Sequence, residues 1–240
     1  MPNAKDVTKT DCVHALVYGP SGGGKTHFLG EWLNDGPMWV LDTDKGIETL
    51  AGKDLTYEQW YDRPGDTKVP DNETAWHKIT KFVKAQIEEP EYTTYAFDSL
   101  TTIADVVSAY TIWKGGSSRS LVQLQDYQTI YNELTKFIID IRKIKANVIL
   151  TAHEEMVRDE LGKQRIVPLV IGEKFAPRLP LFWNNVWHID VEAATEGKEP
   201  TRRLIVQKDG KHMAKSLGNK KQLSIGVTYT DIMQHLEGGK

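Results

Sequence analysis

Short runs of apolar, β-favouring residues alternate along the chain with longer stretches whose apolar positions recur at helical spacing. That pattern belongs to a mostly parallel sheet covered by helices on both faces, so the expected fold class is α/β with three layers. Residues 12–18 predict a strand that enters a glycine-rich turn, and 26–34 predict the helix after it. A second strand at 38–41 ends in Asp42-Thr43-Asp44, and a short one is expected within 55–61. Residues 62–72 read as a loop with a turn at Pro64-Gly65. An amphipathic helix at 74–89 keeps Trp76, Ile79, Phe82, Val83 and Ile87 near one face and stops at Pro90. The strand at 92–97 again terminates in an acid, Asp98. Helices at 100–113 and 125–144 flank a flexible basic loop, 114–120, and a fourth strand is expected at 147–152. After it, 154–172 reads as a charged connection with room for a hairpin near Leu161-Gly162. A short helix at 173–179, strands at 185–192 and 202–207, and a helix at 230–236 complete the pattern. No repeat or low-complexity tract interrupts it, so residues 12–240 are expected to form one domain behind a flexible N-terminal segment, 1–11.

Composition narrows the class. The chain has 240 residues, 40% apolar and 26% charged, ordinary for a globular domain that buries about three-quarters of its unfolded surface. Its longest apolar runs, 15–18 and 38–41, are four residues long, far below the roughly 18 needed to cross a bilayer. Residues 1–10 are polar and lack the apolar core of a secretory signal, so a cytoplasmic location is expected. Cys12 is the only cysteine, which excludes an internal disulfide framework and a multi-cysteine metal site. A net charge of −3 excludes a uniformly basic nucleic-acid binder. Charge is nevertheless uneven: Arg202, Arg203, Lys208, Lys211, Lys215, Lys220 and Lys221 face a single acid, Asp209, within 200–221. Such asymmetry speaks of partners and fields.

Gly19-Pro20-Ser21-Gly22-Gly23-Gly24-Lys25-Thr26 fits G-x-x-x-x-G-K-[ST] between a predicted strand and a predicted helix. Glycines there allow successive backbone N–H groups to turn inward on a β-phosphate, while the helix start adds positive potential. Lys25 should bridge the β- and γ-phosphates of ATP, and Thr26 should place its hydroxyl on Mg²⁺.

Asp98 ends an apolar strand at the carboxyl edge, where open parallel sheets gather ligand groups. It reads as the acid that orients the hydration shell of Mg²⁺, with capping of the helix near Leu100 as the alternative. Asp42 and Asp44 end the neighbouring strand. Asp44 is the candidate to position or deprotonate an attacking water, Glu48 reaches the same region, and capping remains open for either aspartate. His153 closes the fourth strand, either reporting a γ-phosphate or sitting as a satisfied strand-end histidine. His14, His27, His77, His188, His212 and His235 show no metal-ligand spacing.

The order of these motifs resembles the RecA-like ATPases. More narrowly, residues 16–26, 40–44, 96–99 and Leu150-Thr151-Ala152-His153-Glu154 look like the small phage-encoded RecA-like recombinases that act in single-strand annealing. The resemblance spans about 12–215 and implies a RecA-type core, ATP with Mg²⁺, and assembly as a homo-oligomer, ring or filament, on single-stranded DNA in a bacterial host's cytoplasm. It also implies a single-strand DNA-binding protein as a further partner, and no membrane. RecA proteins carry glutamate where this chain has Asp44, one methylene shorter, and glutamine where it has His153. The resemblance places DNA-binding loops at 113–120 and 154–172. In the first, Trp113 offers a stacking face and Lys114 and Arg119 offer phosphate contacts; the second carries Arg158, Lys163 and Arg165 among acids. It likewise puts Lys208, Lys211 and Lys215 where lysines reach a neighbouring subunit's γ-phosphate, with Lys211 and Lys215 as catalytic candidates. A basic hairpin that tracks DNA phosphate, or an exposed turn, is the alternative for that segment.

The reading is thus an ATP·Mg²⁺-dependent recombinase coupled to single-stranded DNA. Its rivals are a nucleotide-gated scaffold, KaiC-like or a recombination mediator, with negligible turnover, and a small-molecule kinase, which needs a lid that the sequence does not display.

Overall fold

Why the apolar runs lack alternation becomes clear from the sheet, whose strands are covered on both faces. The computed structural model describes residues 12–62, 73–115, 121–158, 162–172, 175–192 and 200–239. Its strands are β1 (His14–Gly19), β2 (Met38–Asp42), β3 (Thr56–Glu58), β4 (Thr94–Asp98), β5 (Asn147–Arg158), β6 (Gln164–Pro168), β7 (Asn185–Glu192), β8 (Thr201–Ile205) and β9 (Ser224–Ile225). The helices are α1 (Lys25–Leu29), α2 (Ala75–Glu88), α3 (Leu100–Lys114), α4 (Asp126–Ile141), α5 (Leu179–Phe182) and α6 (Tyr229–Glu237). Strand order is β3-β2-β4-β5-β1-β7-β8-β9, with β6 pairing to β5 alone. Pairing is parallel from β3 through β7 and antiparallel at β8 and β9.

Side chains from alternate strand positions enter two cores. Leu16, Tyr18, Trp39 and Leu41 pack with α2, α3 and α4, whereas Ala15, Val17, Met38 and Val40 pack with Phe28, Leu29, Trp32 and Ile232 on the other face. This is the expected three-layer α/β core around a mostly parallel sheet. Strand ends gather at one edge because β2 and β4 are in register, Asp42 opposite Asp98. β5 lies between β4 and β1, with Gly19 opposite His153, so the polar end of β5 separates the glycine-rich turn from Asp98.

Several boundaries differ from expectation. The first helix closes after Leu29 and continues as a 3₁₀ turn, Gly30–Asn34. The fourth strand runs six residues past Ala152 and pairs with β6 in the hairpin expected within 154–172, with Arg158 opposite Gln164, while Leu161 lies outside the described residues. The helix expected at 173–179 is a 3₁₀ turn, Ala176–Arg178, leading into α5. The segments 1–11 and 63–72 and most of the basic loop, 116–120 with Arg119, lie outside the described residues. Among the described residues, no helix is long and apolar enough to cross a membrane.

Candidate nucleotide site

The glycine-rich turn is held from behind before it offers anything in front. Gly19 lies so close to β7 that a Cβ on it would meet the carbonyl oxygen of Ile189 at 2.8 Å, and the Gly23 amide donates to the Pro20 carbonyl at 3.0 Å. Gly24, which precedes α1, has φ +92°, and a Cβ there would sit 2.8 Å from Nε of Arg202. Only a residue without a side chain suits that position. Ser21, Gly22, Gly24, Lys25 and Thr26 then line a cavity of about 730 Å³, together with Thr43, Asp44, Lys45, Tyr61, Asp98, Thr102, His153 and Arg202. That volume suits a nucleotide-sized ligand.

Two buried charges face this cavity without a direct ionic partner among the described residues. Lys25 is 6% exposed, and its ammonium donates to the carbonyls of Gly19 at 3.1 Å and Pro20 at 2.9 Å and to Nδ1 of His153 at 3.4 Å. Burial pulls the ammonium below the ordinary lysine value, against the raising influence of Asp98, Asp44 and Glu154. Asp98 is 1% exposed. Its carboxylate accepts from Thr26 Oγ1 at 2.7 Å and from Thr151 Oγ1. Burial pushes that carboxyl above the usual range, beyond what the two hydroxyls recover. Helix capping next to Asp98 falls to its neighbour: the Ser99 side chain accepts from the Thr102 amide at the start of α3. The donor set fits the expected ligands, since a buried ammonium beside a glycine-rich turn suits an anion and a hydroxyl paired with a buried carboxylate suits Mg²⁺.

Asp44 is held by a separate network. Its Oδ1 accepts from Ser99 Oγ at 3.0 Å and from Thr102 Oγ1, and its Oδ2 from His153 Nε2 at 2.9 Å. Burial alone would raise this carboxyl, but the donors, led by His153, hold it below the usual carboxylate range. With Nε2–H on Asp44 and Nδ1 accepting from Lys25, His153 links the ammonium to the carboxylate. Its backbone is fixed too, the amide donating to Thr101 Oγ1 at 3.0 Å.

Other sequence candidates fall elsewhere. Asp42 caps a turn, accepting from the amides of Gly46 at 2.9 Å and Ile47 at 3.1 Å and from Gln59 Nε2 at 2.8 Å, so it is a structural carboxylate. Glu48 is exposed and is not in the cavity wall. Within one chain Lys211 and Lys215 also lie outside the cavity. Lys211 is exposed, and Lys215 donates to the Pro180 carbonyl at 2.5 Å. Trp113 is half-buried and stacks on Tyr110 with ring centroids 6.0 Å apart.

Sequence reasoning missed several residues in the wall, Lys45, Thr102, Tyr61 and Arg202 among them. Tyr61 provides an aromatic surface, and Arg202 reaches from β8 to donate Nε to the Gly23 carbonyl at 3.2 Å. Membership of the basic stretch 200–221 was the only signal for Arg202.

A family described as AAA domain matches residues 12–216. Among solved structures, a KaiC-like protein from the hyperthermophilic archaeon Pyrococcus horikoshii OT3 is similar over 85% of this chain and 83% of its own, at 15% identity and a TM-score of 0.45. No curated protein matches the chain.

Proposed function

The chain belongs to the AAA domain family, and from that premise we propose that it binds ATP with Mg²⁺ in the cavity above β1 and hydrolyses it. We further propose that it does so as a homo-oligomer on single-stranded DNA, in recombination or annealing, in the cytoplasm of a bacterial host and alongside a single-strand DNA-binding protein. One observation carries the nucleotide half: Lys25 and Asp98 are both buried and face a single cavity, and neither forms an ion pair with an opposite charge among the described residues. Bound phosphates and a cation give each the ionic partner that burial otherwise makes costly to lack.

In this reading Lys25 leaves the carbonyls of Gly19 and Pro20 for phosphate oxygens. Thr26 and Asp98 are the residues that hold Mg²⁺, which supplies charge neutralisation across the phosphates. Asp44 orients the attacking water and takes its proton, with Ser99, Thr102 and His153 fixing the carboxylate. Lys211 or Lys215 of a neighbouring subunit completes the charge stabilisation, which ties turnover to assembly. The DNA half draws on the sequence resemblance and on exposed basic residues, among them Arg158, Lys163 and Arg165 of the β5–β6 hairpin.

A second reading, the nucleotide-gated scaffold, is favoured by the same Asp44 network. A carboxylate held below its ordinary pKa is a good orienter but a weak proton acceptor, so turnover is slow. ATPase rate and particle mass, each measured with and without single-stranded DNA, separate the two. A rate that rises and a particle that grows with DNA support the recombinase. Tight ATP binding with negligible turnover under both conditions supports the scaffold, and a rate responding only to a small metabolite points to the kinase. Asp44→Asn is expected to lower turnover roughly 100-fold or more while ATP affinity changes little. Undiminished turnover in that variant removes Asp44 from the mechanism.

A further inference from the structure

His188 and His212 are 24 positions apart and carry no spacing signal, yet the fold stacks their rings with centroids 4.2 Å apart and planes 24° from parallel. Parallel pairing of β7 with β1 sets His188 beside Tyr18. The segment carrying His212 is brought over it by a bridge between Ile166 and His212. Asp190, two residues along β7, completes a group in which one ligand atom from each residue lies within 4.8 Å of the others. We propose that His188, Asp190 and His212 form a binding site for a late first-row divalent cation of the Zn²⁺ class.

Three observations support this site. First, each imidazole is oriented by a carboxylate on the nitrogen away from the proposed ion. His188 Nε2 donates to Glu154 at 2.6 Å, and His212 Nδ1 donates to Asp209 at 2.6 Å. With Nε2 of His188 and Nδ1 of His212 on the carboxylates, His188 Nδ1 and His212 Nε2 are the nitrogens left to face an ion. Metal-bound histidines are held by their outer carboxylates in the same manner. Second, His188 is 2% exposed and its Nδ1 has no hydrogen-bond partner among the described residues. A buried imidazole nitrogen left unsatisfied is rare and calls for an explanation, and a metal ion supplies one. Third, Arg203 engages only Oδ2 of Asp190, through Nε at 3.0 Å and an Nη at 2.9 Å, so Oδ1 remains for a ligand among the described contacts. Two imidazoles and one carboxylate suit Zn²⁺, Co²⁺ or Ni²⁺ better than the oxygen-seeking Mg²⁺.

Ligation tilts the two rings out of their stack by rotation about their side-chain bonds, so that the lone pairs converge. The bound ion then pins residues 209–213 against β7, independently of nucleotide.

Co²⁺ and Zn²⁺ added to the nucleotide-free full chain test the site. One Co²⁺ per chain is expected, with visible d–d absorption of a low-coordinate site, and Zn²⁺ should displace it and raise the melting temperature. His212→Gln and Asp190→Asn, the second at a half-buried side chain, should weaken binding at least ~10-fold, and Glu154→Gln by a similar factor through the outer contact. Lys25→Ala should leave the Co²⁺ signal intact. His188→Gln is the most direct variant, but its buried position makes folding a concern, so circular dichroism accompanies each protein and His212→Gln and Asp190→Asn decide the matter. Failure of the wild type to retain Co²⁺, or retention at wild-type strength by folded His212→Gln, overturns the site.

Discussion

Lys25→Ala is expected to lower ATP affinity at least ~100-fold and to abolish turnover, while melting within a few degrees of the wild type. The loss is large because, among the described residues, the ammonium is the one cation buried in the cavity wall, at 6% exposure, and a charge-assisted contact to phosphate in a water-poor site is worth several-fold more than one in solvent. The stability effect is small for a different reason. In the free protein Lys25 donates only to two carbonyls and an imidazole, and burial already disfavours its charge. Removing it therefore relieves a desolvation cost while losing modest hydrogen bonds. Calorimetric titration with an ATP analogue, paired with thermal melts, measures both. An unchanged affinity would place the nucleotide somewhere other than this turn.

Asp98→Asn should separate stability from function in the opposite directions. The wild-type Asp98 carboxyl is 1% exposed, has only hydroxyl donors among the described residues, and its pKa is raised by burial. A raised folded-state value means that ionisation opposes folding, so a neutral amide removes a penalty that grows as pH rises above the unfolded value. A gain of about 1 kcal/mol, or roughly 2–4 °C in melting temperature, is expected without nucleotide. Thr26 and Thr151 keep a partner because one hydroxyl still donates to the amide oxygen and the other can turn to accept from the amide NH2. With ATP and Mg²⁺ the variant should lose turnover roughly 100- to 1000-fold, since a neutral side chain no longer helps hold the cation. A variant that melts lower than wild type yet retains Mg²⁺-dependent turnover would mean that Asp98 is a structural carboxylate.

The parts of this site that lie close together in sequence were legible before the fold was known. Gly19 to Thr26 carries its meaning locally, because the glycines, the lysine and the threonine sit between an apolar run and a helix start. Asp44 and Asp98 were legible as strand-terminal acids, for parallel strands end at one edge. Their partners were not. Ser99, Thr102 and Thr151 look like ordinary polar residues until β5 inserts between β1 and β4 and brings the three strand ends together. Arg202 arrives at Gly23 because β8 turns back along β7, and its contact with the turn joins residues 179 positions apart with no local mark. The extension of β5 through Glu154 and Glu155 was hidden for another reason: beyond the covered sheet that strand pairs with β6 alone, so its pattern is polar and reads as a connection. His188 and His212 illustrate the same limit, since their stack is a product of topology rather than spacing.

The most direct measurement is a structure of the chain grown with a non-hydrolysable ATP analogue and Mg²⁺. The account predicts the phosphates against the amides of Gly22 to Thr26, with the Lys25 ammonium moved off the Gly19 and Pro20 carbonyls and the Thr26 hydroxyl turned from Asp98 towards the cation. An analogue bound outside this cavity, with Lys25 still on those two carbonyls, would contradict it.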